Sequence, residues 1–504
     1  MALTPLLLSI LGTVPRRQGT VPRAIRGGLS PVAGGQSPST FASFLRGLLC
    51  GAVYFAGTIY WTGGVMARYG GLSVPLATAI AGLLVMYLAL FPAIFSAVLD
   101  VLLVRYGPRA LWLAPAVWTA TEYGRLAIFG GFPWVLLGYS QVPALPVAQL
   151  ASVTGVFGVS CLVATVSTSL AWLAGSSGRT RWMPLCATAL GVAGIVFWGQ
   201  ARLSSNQLVS SGRPLRIAIV QGNVPQDDKW QSALGAQIFE RYMRLTKTTI
   251  GQGARFVLWP ESATPFYFGA PGPETDALRT LARTTGTSML IGSDLWEAGA
   301  AGTPPRIYNA AFMLKADGTL GGVYRKVHLV PFGEYVPMQS VLFFAAPLVE
   351  AVSNFSPGPR VNTLPLGDAA VSTAICYEVV YPDLIREGVL EGSELLTTIT
   401  NDAWFGRSSA PWQHFNMAAM RAIEQGRYLV RSANTGVSGV VDPYGRVLMA
   451  SDLFVEGAWT ADVRLLDGLT IYGRTGDLVV WLSIAVTVVA LLPIGRRRKA
   501  RAGV

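Results

Sequence analysis

The sequence predicts a polytopic α-helical membrane protein carrying an inserted α/β domain. Of its 504 residues 51% are hydrophobic and only 13% charged, and its mean hydropathy is +0.44; soluble globular chains do not have this balance. Apolar runs of the roughly 20 residues needed to cross lipid as a helix cluster early and recur once at the end. Between them, residues 201–475 alternate strand-like and amphipathic segments with Asp, Asn and Pro turns, enough for one domain of about 250 residues.

In chain order, "MALTPLLLSILG" is apolar but too short to span, and Pro, Gly, Ser and Arg dominate residues 15–40. Residues 1–40 are therefore expected to form a cytoplasmic tail. The short apolar run precedes the arginines and does not follow them, which is the wrong order for a cleavable signal. Apolar runs at 42–66, 74–104, 108–129, 147–174 and 182–200 predict a membrane domain of about five helices over 41–200. A sixth run at 478–494 closes the chain before a basic tail at 495–504.

Basic residues in short loops stay on the cytoplasmic side. Arg16, Arg17, Arg23, Arg26 and Arg46 precede the first run, Arg105 and Arg109 separate the second from the third, Arg179 and Arg181 the fourth from the fifth, and "RRRKAR" follows the last. Every second loop is basic, so five crossings deliver the 212–465 domain to the extracytoplasmic face and the sixth returns. The same placement accounts for much of the net charge of +12. The inserted domain has no basic stripe interleaved with aromatics, which argues against a nucleic-acid partner.

Of the four cysteines, Cys50, Cys161 and Cys186 fall in the apolar runs, and only Cys376 lies in the inserted domain. An unpaired thiol in an oxidising compartment is a liability unless it is buried or used. An inert cysteine at the end of a core strand is the plain alternative. The chain has only two histidines, His328 and His414, far apart in sequence, too few for a zinc site, so no metal is expected. Either histidine is available to activate Cys376, and so are charged residues elsewhere.

Two stretches set charge at the ends of apolar strands, where neutrality is normally favoured. In "ARFVLWPESATPF", Phe256 to Trp259 reads as a buried strand stopped by Pro260, presenting Glu261 at its carboxyl end as a candidate base. In "GGVYRKVHLVPFGEYVP", Lys326 follows a short strand and Glu334 comes after it. The chain has five lysines against thirty-four arginines. A compact ammonium beside a thiol lowers its pKa and can donate to an oxyanion. Solvated surface roles remain the alternative for both residues. In "STAICYEVVYPD", Glu378 follows Cys376 closely and is itself a possible base.

Glu261 in "WPES", Lys326 in "YRKVHLVPFGEYVP" and Cys376 in "ICYEVVYPD", in that order, resemble the Glu-Lys-Cys triad of the nitrilase, or carbon-nitrogen hydrolase, superfamily. With "LRIAIVQGNVPQDDKW", "TNDAWFG" and the flanking apolar runs, the chain is similar to the membrane-anchored N-acyltransferases of that superfamily. The resemblance is close over 212–465 and looser over the preceding runs. It implies a nitrilase-like α-β-β-α sandwich, with Glu261 as proton acceptor, Lys326 as oxyanion stabiliser and Cys376 as nucleophile. Glu334 and Glu378 match supporting carboxylates, and a backbone N–H near Tyr377 completes the oxyanion site. The family carries eight spans, seven of them before the catalytic domain, so the stretch before residue 40 is expected to be atypical or truncated.

The implied reaction takes a fatty acyl chain from a membrane phospholipid and passes it, through a cysteine thioester, to the α-amino group of a diacylglyceryl-cysteine at a lipoprotein N-terminus. No cofactor enters. Trp230, Trp404 and Phe405 are candidate substrate contacts, though aromatics so placed more often pack. Glu122 and Arg125 either meet a lipid headgroup or pair with one another on one helical face. The apolar stretch "VLFFAAPLV" at 341–349 either dips into the outer leaflet or covers the acyl pocket; a buried core helix is the alternative. A tethered amidase passing the acyl group to water would use the same triad, and a binding or transport protein would not need Cys376.

Overall fold

A computed structural model describes residues 3–12, 40–299, 305–331, 333–335 and 355–493. The expected 341–349 arm and the 495–504 tail lie outside the described residues.

Among the described residues, four helices are long and apolar enough to cross a membrane: Thr40–Thr58, Val74–Tyr106, Ala151–Gly175 and Arg179–Ser210. The expected run at 108–129 instead folds as a 3-10 turn, Pro108–Leu113, and a helix of 14 residues, Ala114–Ala127. Fourteen residues rise about 21 Å, short of the roughly 30 Å hydrocarbon core. Phe129, Gly130 and Gly131, at φ 54, 82 and 79, turn the chain out of the helix. The closing helix, Leu478–Leu491, also has 14 residues. Residues 4–11 differ from the expected tail: Thr4–Leu11 is a helix that buries Leu6, Leu7 and Ile10 against Phe95, Leu99, Leu102 and Leu103. Burying such side chains stabilises by about 1.5–3 kcal/mol each, and Arg46 donates to the Ser9 carbonyl at 2.9 Å. The run is too short to span, yet apolar enough to dock.

The inserted domain is built on two six-stranded sheets. One has the order β12-β1-β2-β3-β4-β5 and the other β11-β10-β9-β8-β7-β6. In the first, β1 (Arg213–Gln221), β2 (Phe256–Leu258) and β3 (Ser288–Glu297) run parallel, and β4 (Arg306–Leu314), β5 (Leu320–Arg325) and β12 (Gly457–Leu465) add antiparallel edges. In the second, β7 (Ala369–Ile375), β8 (Leu395–Thr400) and β9 (Leu429–Ala433) are the parallel centre, flanked by β6 (Leu364–Leu366), β10 (Gly439–Val441) and β11 (Val447–Ala450).

Strand periodicity explains the layers. Successive side chains of a strand point to opposite faces. Ile217, Ile219, Phe256 and Leu258 join Val371, Ile375, Leu395 and Ile399 between the sheets. Their neighbours Ala218, Val220, Val257 and Trp259 face outward onto Ile238 and Tyr242 of helix Gly235–Gly251 and Leu278 of helix Pro273–Thr285. On the far side, helices Pro382–Leu390 and Ala410–Gln425 pack with Phe55, Trp134 and Phe157 of the helical region. The result is an α-β-β-α sandwich whose second helical layer rests on the membrane helices.

Helix Ala410–Gln425 is bolted down at both ends. The Gln413 amide donates to the Thr58 carbonyl at 3.0 Å and accepts from Trp134 Nε1 at 2.7 Å and Trp61 Nε1 at 3.3 Å. Three turns on, Glu424 accepts from the Val156 N–H at 2.8 Å and pairs with Arg421 at 3.1 Å. Val156 N–H is free to donate because Gly155, at φ 67 and ψ 177, breaks the helix there.

Candidate active site

Three strand ends converge. β2 stops at Leu258, and Trp259-Pro260 delivers Glu261; β5 stops at Arg325 and delivers Lys326; β7 stops at Ile375 and delivers Cys376. All three side chains are buried. Cys376 has φ 53, a left-handed conformation that costs an L-residue with a Cβ on the order of 1 kcal/mol or more. It forms the sharp step from strand to the short helical turn Cys376–Val380.

The carboxylate of Glu261 is held at both oxygens: Oε1 accepts from Asn309 Nδ2 at 2.7 Å and Oε2 from the Asn401 N–H at 2.7 Å. Lys326 Nζ donates to Glu334 Oε1 at 2.8 Å and lies 3.5 Å from Glu261 Oε1. Glu334 Oε2 in turn accepts from the Val330 N–H at 2.8 Å. Burial alone would discharge Lys326, but Glu334 and Glu261 outweigh it and hold the ammonium above the usual lysine range. Burial pushes the Cys376 thiol up; Glu261 adds to the rise and Lys326 opposes it. The resting sulfur is therefore a thiol, with Glu261 and Lys326 the two charges that act on it most.

Glu378 is a clamp and does not face the sulfur as a base. Its Oε1 accepts from Tyr324 Oη at 2.9 Å and from the Val327 and His328 N–H groups at 2.6 and 3.1 Å; its Oε2 accepts from the Ile375 N–H at 2.7 Å. Burial pushes its carboxyl up to about 7 against these donors. One side chain thereby ties the segment after Lys326 to the residue before Cys376.

The helical region reaches the site through the turn at 128–135. The Gly130 carbonyl accepts from Tyr381 Oη at 3.0 Å and stands 3.0 Å from His328 Nε2, while the Gly131 carbonyl accepts from Tyr377 Oη at 3.4 Å. Trp134 stacks on the Tyr377 ring at 6.3 Å and 15°. A cleft of about 550 Å³ opens beside Val327, between Tyr123 and Leu126 on one wall and His328, Tyr381 and Asp383 on the other.

The peripheral candidates divide. Phe405 packs on Trp61 at 4.8 Å and Trp134 at 5.8 Å, close to the site. Trp404 meets Tyr69 edge-on at 4.8 Å, and Trp230 is 53% exposed. Glu122 and Arg125 pair at 3.6 Å and are both buried; Glu122 also accepts from the Leu137 N–H at 2.7 Å, which fixes the turn at 128–135 and leaves neither exposed to a headgroup.

Several residues at the site were not singled out from sequence. Asn309 and Asn401 aim Glu261. Lys229 Nζ donates to the Glu261 carbonyl at 2.9 Å, and burial lowers its ammonium to about 8. Its rarity as a lysine was the available signal. Asp294 accepts from Ser262 Oγ at 2.7 Å, and burial raises it to about 6. Asp402 and Arg431 were also missed; they surround His414, which the sequence did offer as an activator of Cys376 and which meets its carbonyl oxygen at 3.1 Å. Among the described residues no cluster of His, Cys, Asp or Glu could hold a metal.

The carbon-nitrogen hydrolase family model matches residues 216–467, and that of the apolipoprotein N-acyltransferase N-terminal domain matches residues 29–169. The apolipoprotein N-acyltransferase of Geobacter metallireducens is 36% identical over 466 residues, which is 90% of this chain and 88% of the relative. The chain belongs to the apolipoprotein N-acyltransferase family. Those of Methylococcus capsulatus and Shewanella oneidensis are 36% and 34% identical, over 92% and 91% of this chain. One family match lies on helices up to residue 169, and the other covers the sandwich with Glu261, Lys326 and Cys376.

Proposed function

We propose that this apolipoprotein N-acyltransferase takes its acyl chain from a membrane phospholipid, holds it as a thioester on Cys376, and passes it to the α-amino group of the N-terminal S-diacylglyceryl-cysteine of a lipoprotein. The observation that carries this reading is the buried convergence of Glu261, Lys326 and Cys376 at strand ends that rest on membrane helices. Two lipid-anchored substrates need the nucleophile at such a boundary.

In the first half-reaction Glu261 takes the Cys376 proton as sulfur attacks the ester carbonyl. Its two hydrogen bonds leave the carboxylate little freedom to turn away. Lys326 Nζ and the Tyr377 N–H stabilise the tetrahedral oxyanion, and Glu261 returns the proton to the departing lysophospholipid. In the second half, Glu261 assists removal of a proton from the incoming amine, and thiolate leaves as the amide forms. Glu334 keeps Lys326 charged throughout. With the basic loops inside, the sandwich faces the periplasm.

Intact-mass measurement of the purified protein after incubation with phospholipid tests the reading. A gain of one acyl chain is expected, removable by neutral hydroxylamine and absent in Cys376→Ala. If the parent acylates lipoprotein without ever showing this adduct, the covalent route is wrong. Release of ammonia from small amides, with no transfer to an amine, would point to hydrolysis instead.

A further inference from the structure

Against the backbone of the nucleophile sits a polar network bounded by the aromatic rings of Trp134 and Phe405. His414, fully buried on helix Ala410–Gln425, places Nε2 3.1 Å from the Cys376 carbonyl oxygen. A carbonyl only accepts, so Nε2 carries the proton and donates. On the other side of the ring, Arg431 Nη2 donates to Nδ1 at 2.9 Å and to Asp402 Oδ2 at 2.9 Å. Asp402 Oδ1 lies 3.1 Å from Nδ1 and accepts from Thr400 Oγ1 at 2.8 Å. The Cys376 carbonyl requires the tautomer with its proton on Nε2, and the arginine, shared between Nδ1 and Asp402, satisfies the bare Nδ1 beside that carboxylate. Burial, with Arg431 adding to it, lowers the imidazole pKa and keeps the ring neutral. The rings of Trp134 and Phe405 close the remaining faces.

The Cys376 carbonyl and the Tyr377 N–H are the two ends of one peptide unit. A donor on the oxygen polarises the N–H and fixes the plane of a peptide that follows a residue at φ 53. We propose that His414 is a positioning residue, orienting and polarising the Cys376–Tyr377 peptide so that the Tyr377 N–H meets the oxyanion in both half-reactions. The inference rests on the thioester reading above. It also gives the two bolts on this helix a purpose: Gln413 and Glu424 fix His414 relative to the membrane helices, so docking of the sandwich sets the oxyanion peptide.

The test compares two amide replacements in the full-length protein in detergent micelles. H414Q extends an amide toward the Nε2 position and keeps a donor for Cys376; H414N ends near Nδ1 and cannot reach it. Two rates are measured: acyl-adduct formation at saturating phospholipid, and alkylation of Cys376 by iodoacetamide followed by peptide mass. Alkylation displaces iodide at carbon and builds no oxyanion. H414N is expected to slow acylation by about 10- to 100-fold while leaving alkylation unchanged, with H414Q substantially restored. Should H414N not fold, R431Q, which frees the ring to move its proton to Nδ1, is expected to show the same selective loss. Equal losses of acylation and alkylation, H414Q no better than H414N, or H414N at the parental rate each overturn the inference. A parent that gains no acyl mass overturns the thioester reading as well, and so the two failures are distinguishable.

Discussion

Gly292 lies on β3, beside the turn that presents Glu261. A Cβ there would stand 2.0 Å from the Pro260 carbonyl oxygen, 2.8 Å from its carbon and 2.9 Å from Glu261 Cα. Each is backbone, so no side chain can swing aside. Restoring a tolerable contact of about 3 Å requires the Pro260–Glu261 backbone to retreat by roughly 1 Å. That shift acts on a carboxylate held by two 2.7 Å hydrogen bonds, from Asn309 and from the Asn401 N–H, neither of which can lengthen so far and survive. Gly292→Ala should therefore slow acyl-adduct formation on the order of 100-fold and lower stability by about 1–3 kcal/mol. Alkylation of Cys376, which lies on the other sheet, should continue. The assay is intact mass against time after mixing with phospholipid, with thermal unfolding in micelles alongside. Acylation at the parental rate in a folded Gly292→Ala protein would refute the claim that Glu261 must hold its position against Asn309 and Asn401.

Asp294 and Glu378, raised by burial to about 6 and about 7, bind protons in the folded state that the unfolded chain releases. Their contribution to stability is full below about pH 4 and is lost as pH rises through 6 and 7. The unfolding midpoint should fall between pH 5 and 8, and Asp294→Asn, which imitates the protonated acid, should flatten that fall by the equivalent of about 3 kcal/mol; an unchanged slope counts against it. Glu334→Gln removes the closest anion from Lys326, so activity should be kept at low pH and lost earlier as pH rises, read from the alkaline limb of the pH–rate profile. Gln413→Leu strands two indole N–H groups and the Thr58 carbonyl and should lower stability by about 1–3 kcal/mol, seen as a lower unfolding midpoint. Gly155→Ala forces a Cβ to 2.5 Å from the Tyr472 ring at φ 67, and should weaken attachment of the sandwich to the helices, detected as faster proteolysis between them.

The sequence by itself marked an α/β insert and its unusual residues, while the α-β-β-α layers were implied by the resemblance of the motifs around Glu261, Lys326 and Cys376. Apolar strand segments such as 217–220 bury both faces, Ile217 and Ile219 between the sheets and Ala218 and Val220 beneath a helix, and that pattern is local. Charge at the ends of apolar strands marked Glu261 and Lys326, and a lone thiol marked Cys376, because such placements are costly wherever the chain folds. Hydropathy found the long helices but overextended the run at 108–129, since it counts apolar residues and is blind to the turn that Phe129, Gly130 and Gly131 impose. It also dismissed Thr4–Leu11, whose worth lies in the surface it meets. Tertiary structure alone decided the partners. Glu378, two positions from the thiol in sequence, spends its oxygens on four donors, three of them from residues 324–328. Asn309, Asn401, Asp402, His414 and Arg431 come from separate strands, turns and a helix, and no spacing announces their meeting. Hydrogen bonds act over about 3 Å in space, a distance sequence separation does not encode until the sheets have stacked and the helices have docked.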